Sequence, residues 1–88
     1  MGMQQNNRVA LVTGATSGMG IDIARQLTQD GFRVVVSGRS AERGERVAAG
    51  LGDTARFLQA DLLTPGAPGA LVEATVAEMG RLDVLVNN

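Results

Sequence analysis

Thr13-Gly14-Ala15-Thr16-Ser17-Gly18-Met19-Gly20 is the stretch on which the reading of this chain turns. It follows an apolar run, Val9-Ala10-Leu11-Val12, and opens a segment in which Met19, Ile23, Ala24 and Leu27 recur at helical spacing. A buried strand that passes through glycines into a helix start is a device for holding a pyrophosphate. The N–H groups of the turn and of the first helical turn point at the anion, and the helix dipole favours negative charge there. Gly14 permits the sharp exit from the strand, Gly18 lets backbone approach phosphate, and Gly20 lets the helix lie close to the sheet. Gly14, Thr16, Ser17, Gly18, Met19 and Gly20 are therefore candidate pyrophosphate-binding residues.

Outward from this turn, Arg8 to Val12 reads as the first strand, apolar on both faces as in the centre of a parallel sheet. The helix runs from about Met19 to Asp30 and stops at Gly31. Phe32 to Ser37, rich in β-branched residues, is the second strand, and the β-α-β unit fits a right-handed crossover. In dinucleotide folds an acidic residue at the end of this strand takes the ribose hydroxyls of NAD. Here that slot holds Gly38, followed by Arg39 and Ser40, which are the candidate cofactor-binding residues at this strand end. No carboxylate repels a 2′-phosphate, and a guanidinium stands ready to bond it. A charge-assisted bond of that kind contributes ~1.5–3 kcal/mol, roughly 10- to 100-fold in preference. The expectation is NADP(H) rather than NAD; the alternative is that Arg39 only solvates the strand end.

Ser40 is placed to cap a helix from about Ala41 to Ala49, with Glu42 in its first turn and Gly50 and Gly52 ending it. Ala55 to Ala60 is the third strand. It delivers Asp61-Leu62 at its carboxyl end, the edge where ligands bind in open α/β sheets. Asp61 reads either as a ligand contact or as a cap or loop acid. Thr64 to Gly69 reads as a Pro/Gly turn. Leu71, Val72, Thr75, Val76 and Met79 then give a helix to about Met79, with the Met as core filler. Gly80 stops it, and Leu82 to Val86 is a fourth strand, followed by Asn87-Asn88.

The spacing T-G-x-x-x-G-x-G resembles the cofactor motif of the short-chain dehydrogenase/reductase family, and Asp61-Leu62 and Asn87-Asn88 match two further family positions. The resemblance runs from Arg8 to the end of the chain and covers about the first third of a usual member. The run from Arg8 to Gly18 looks most like the 3-oxoacyl and polyketide ketoreductases. The resemblance implies a doubly wound parallel α/β sheet, a Rossmann fold, with strand order 3-2-1-4. It also implies that Asp61 accepts from the adenine amino group, that Leu62 N–H meets a ring nitrogen, and that Asn88 contacts the ribose region. Asn87 would help hold the central strands. Arg at position 39 agrees with NADP-preferring members. By resemblance the whole protein would transfer a hydride between NADPH and a ketone, 3-oxoacyl or secondary-alcohol substrate, as a tetramer or dimer, and the lack of Cys suits a cytoplasmic location. The family's Ser, its Tyr-x-x-x-Lys pair and a further Asn have no matching positions here.

Composition narrows the field further. Eighty-eight residues suggest one small domain, burying roughly 60–70% of its unfolded surface. A net charge of −1 advertises no nucleic acid and no anionic membrane, and no apolar run approaches the ~20 residues of a membrane helix. There is no Cys, hence no disulfide and no thiolate metal site. All eight cations are Arg, and Tyr, Lys, His and Cys are absent, so nearly every group that moves protons near neutral pH is missing. No catalytic residue and no metal site is expected in these 88 residues, and alone they are expected to be inactive.

Residues 1–7 are polar and read as a disordered or expression-derived tail. They lack the apolar core of a signal peptide, and Asn6 stands where a myristoylation signal needs Ser or Thr. Residues 8–88 then form the N-terminal part of the cofactor domain. Val84-Leu85-Val86 would form an apolar sheet edge with nothing beside it, so further polypeptide is expected there. Two other readings stay open: a non-catalytic NADP-binding or regulatory module, and a structural half-domain completed by another chain.

Overall fold

β1, Val9–Thr13, is buried along its whole length, because it is flanked by strands on both sides and covered on both faces. The structure is a computed structural model that describes residues 7–88; all of the expected tail but Asn7 lies outside them. After β1 come α1 (Gly18–Gln29), β2 (Arg33–Gly38), α2 (Ala41–Leu51), β3 (Ala55–Gln59), α3 (Ala67–Met79) and β4 (Val84–Asn87). The four strands are parallel in the order β3-β2-β1-β4, as the sequence leads one to expect.

Alternation along the strands divides the core in two. Val12, Val34, Val36 and Ala55 face α1 and α2, where Ala24 and Ala48 are buried against them. Val9, Leu11 and Val35 face α3 and pack on Leu71 and Met79. Each such Val or Leu contributes about 1.5–3 kcal/mol on burial. Thr75, the one polar residue on the buried stripe of α3, satisfies its hydroxyl by donating to the Leu71 carbonyl at 2.8 Å.

Three boundaries differ from the sequence reading by more than one residue. The segment Thr64–Gly69 is not all turn: α3 already starts at Ala67, with Pro68 in its first turn, where the missing N–H costs no hydrogen bond. Gly50 does not end α2; it is helical, and the stop falls at Gly52, whose φ is +112°. The fourth strand begins later than expected, at Val84, and includes Asn87. Among the described residues β4 pairs only with β1, and Leu85 is 54% exposed on it, the apolar edge anticipated from the sequence.

Two glycines of α2 make a contrast that can be measured. A Cβ on Gly44 would collide with the Phe57 ring, whereas one on Gly50 would meet nothing within 4 Å. Gly50→Ala should raise stability by about 0.5–1 kcal/mol through helix propensity alone. Gly44→Ala gains the same propensity but loses ~1–3 kcal/mol to overpacking, and should come out neutral to destabilising. Denaturant melts of the two variants give the comparison.

Asp83 anchors the amino end of the sheet. Its Oδ2 accepts from Val9 N at 2.9 Å and from Arg81 Nε at 2.9 Å, and its Oδ1 accepts from Arg81 at 2.8 Å. The Arg81 hydrogen bond, then the Val9 N–H, hold its carboxyl below the usual aspartate range. A carboxylate whose pKa is lower folded than unfolded stabilises the fold above the unfolded value, and that contribution is lost as pH falls through the folded one. Asp83→Asn should therefore melt below the parent at neutral pH, with the gap closing as the pH drops below about 4. A gap independent of pH would mean that the charge contributes nothing.

Candidate functional site

The carboxyl ends of β1, β2 and β3 bring the predicted ligand residues to one edge of the sheet. A groove of about 350 Å³ opens there, lined by Gly14, Thr16, Ser17, Gly38, Arg39, Ala60, Asp61, Leu62 and Leu63. Of the residues expected from sequence, Gly14, Thr16, Ser17, Arg39, Asp61 and Leu62 share this wall. Gly18, Met19 and Gly20 continue from it into the first turn of α1. Ser40 and Asn88 lie outside the lining.

The glycine turn is open where a ligand would meet it and tight where the helix meets the sheet. Gly14 and Gly18 adopt φ of +62° and +50°, conformations that an L side chain resists. A Cβ on Gly18 would meet nothing within 4 Å, so its backbone face is free to be approached. A Cβ on Gly20 would run into the Gly14 carbonyl oxygen and lie 2.8 Å from Asn88 Nδ2. Ser17 occupies the N-cap in an extended conformation but makes no side-chain cap bond, and no acidic residue stands in the first turn of α1. The first N–H groups of α1 are thus left to solvent or an anion, with no carboxylate to compete. The residues present fit a pyrophosphate.

The turn is held from behind by β4. Thr13 is 4% exposed, and its Oγ1 accepts from Asn88 N at 3.2 Å and lies 3.3 Å from the Val86 carbonyl and 3.2 Å from Asn87 Oδ1. Asn88 Nδ2 donates to the Gly14 carbonyl at 3.1 Å. The two asparagines therefore tie strand ends together, with one of the two N–H groups of the Asn88 side-chain amide spent on the loop. Sequence reasoning missed Thr13, because its partners lie more than 70 residues away.

The end of the groove formed by β2 and β3 has its own frame. Asp61 is exposed, and its Oδ1 accepts from Leu63 N at 3.1 Å, so it turns its own loop while lining the groove. The loop-acid reading is thus met, at a residue that also lines the groove. Ser40 caps α2, accepting from Arg43 N at 3.2 Å as its sequence position suggests. Arg39 is exposed on the groove rim and joins none of the ion pairs found among the described residues. Gly38 was noticed in the sequence only as the place of a missing carboxylate. A Cβ there would lie 2.6 Å from Thr16 Cγ2, so its bareness lets the glycine turn settle on the end of β2.

Among the described residues no group of three or more His, Cys, Asp or Glu could hold a metal, and no helix is long and apolar enough to cross a membrane. What this edge is equipped to do is bind a phosphate-bearing nucleotide.

Comparison with known proteins agrees with that geometry. The family model described as short chain dehydrogenase matches residues 8–88. A protein provisionally named ketoacyl reductase 2 of the granaticin polyketide synthase, from Streptomyces violaceoruber, is 51% identical over 81 residues, spanning 91% of this chain and 32% of the relative. A crystal structure of an actinorhodin polyketide ketoreductase variant with NADPH superposes with a TM-score of 0.88 at 41% identity, covering 97% of this chain and 34% of that one. A 3-ketoacyl-(acyl-carrier-protein) reductase from Brucella melitensis complexed with NADH gives 0.83 at 38% identity, over 89% of this chain and 32% of that one. The chain spans about a third of the length of these relatives.

Proposed function

We propose that this chain, which belongs to the short chain dehydrogenase family, is the NADP(H)-binding part of an oxidoreductase acting on a ketone, 3-oxoacyl or secondary-alcohol substrate. The observation that carries the cofactor half of this reading is Arg39 at the end of β2, beside Gly38, on the rim of the groove. Relatives alone do not choose the cofactor, since one of the structures above holds NADPH and another NADH. The guanidinium in place of a carboxylate is what favours the 2′-phosphate.

Residues 8–88 serve as the first part of the cofactor domain. Thr16 to Gly20 hold the pyrophosphate by backbone N–H groups, with Gly14 shaping the turn. Asp61 and Leu62 border the adenine. Ser40 positions Arg39 by capping α2, and Asn88 braces the turn through Gly14. The bound cofactor supplies or accepts the hydride; this chain binds and orients it. Tyr, Lys, His and Cys are absent here, so the proton-transfer groups belong to other polypeptide of the whole protein.

Purified full-length protein, mixed with NADPH and a 3-oxoacyl thioester, should consume the reduced cofactor, whereas residues 1–88 alone should not. Tight NADPH binding without turnover across ketone, thioester and alcohol panels would overturn the enzymatic half and favour a cofactor-sensing module.

A further inference from the structure

We infer that Gln59, at the carboxyl end of β3, is a positioning residue for cofactor choice, acting through the backbone of Arg39; this rests on the NADP(H) reading above. The β2–β3 ladder ends with the pair Gly38 and Gln59, closed by Ala60 N donating to the Gly38 carbonyl at 3.0 Å. Arg39 lies one residue beyond the last rung, where β2 has stopped and α2 has not begun. There the Gln59 side chain takes over: its Nε2 donates to the Arg39 carbonyl at 2.9 Å. An amide side chain thus adds one more rung after the strands have parted.

On the other side of Arg39, Ser40 is fixed as the N-cap of α2 by its bond from Arg43 N. The Arg39 main chain is therefore clamped between a strand end and a helix start. Its guanidinium, with no ion-pair partner among the described residues, extends from a fixed base at the groove rim. An arginine bonding phosphate loses less freedom when its backbone is already set, and pre-organisation of this kind appears as affinity. Gln59 does not line the groove, so it acts on the 2′-phosphate only through Arg39.

The test uses the full-length protein with Gln59→Met, which keeps the length of the stem and removes the donor, and Gln59→Ala as a second variant. Dissociation constants for NADP+ and NAD+ are measured by calorimetry in each, and again combined with Arg39→Ala. Loss of one net hydrogen bond should weaken NADP+ about 3- to 10-fold and leave NAD+ unchanged. In the Arg39→Ala background neither variant should lower NADP+ affinity further. Equal weakening of both cofactors would make Gln59 a merely structural residue and overturn the inference. If Arg39→Ala lowers the preference for NADP+ but the Gln59 variants do not, the inference fails and the NADP(H) reading stands. If Arg39→Ala leaves the preference intact, both fall together.

Discussion

Gly20→Ala in the full-length protein is expected to weaken nicotinamide cofactor binding about 100-fold and to lower the melting temperature by several degrees. The added Cβ would run into the Gly14 carbonyl oxygen and lie 2.9 Å from Ala15 Cα, both backbone atoms with no rotamer to escape into. Nor is that backbone free to yield. The Gly14 carbonyl accepts from Asn88 Nδ2 at 3.1 Å, and Ala15 N donates to the Ser37 carbonyl across to β2 at 3.2 Å. The helix must therefore back away from the sheet, at a cost of ~1–3 kcal/mol for overpacking. That movement carries the first-turn N–H groups away from the phosphates, and losing a hydrogen bond to a charged phosphate costs about 1.5–3 kcal/mol, up to roughly 100-fold in affinity. Calorimetric titration and thermal melting read the two effects separately. A stable variant with parental affinity would mean that the glycine turn does not hold the cofactor.

Arg39→Asp is expected to reverse the cofactor preference. Removing the guanidinium loses a charge-assisted bond worth about 1.5–3 kcal/mol, and Arg39→Ala should by itself weaken NADP+ roughly 10- to 100-fold with NAD+ unaffected. The aspartate does more. It places a carboxylate one residue past the end of β2, beside Gly38, which holds the slot of the ribose-binding acid, and there it repels a 2′-phosphate. NADP+ should weaken beyond the alanine variant, while NAD+, with no 2′-phosphate to repel, should not. The site is exposed and Arg39 makes no ion pair among the described residues, so neither change should cost stability. Parallel weakening of both cofactors by the alanine variant would count against the assignment.

How much of this was legible in the sequence follows from the range of each signal. β1, the glycine turn and α1 are read from neighbours in sequence, because strand apolarity, turn glycines and helical spacing are all local. The same locality misplaced the start of α3: Pro68 and Gly69 look like breakers, yet proline fits a first helical turn and Gly69 has open space around it. Gly50 misled in the same way, since a glycine with negative φ continues a helix at modest cost. That Arg39 and Asp61 would share one groove was visible because the fold fixes which strand ends lie at one edge of the sheet. The braces behind them were not. Thr13 with Asn88, Asp83 with Val9, and Gln59 with the Arg39 carbonyl join residues 20 to 75 positions apart, and only the assembled sheet brings them together.

The most direct test of the central claim is a crystal structure of the full-length protein grown with NADP+. The pyrophosphate should lie against the backbone of Thr16 to Gly20, with the 2′-phosphate within hydrogen-bond distance of the Arg39 guanidinium and the adenine beside Asp61 and Leu62. A 2′-phosphate pointing to solvent away from Arg39, or a cofactor bound elsewhere on the protein, would contradict the account.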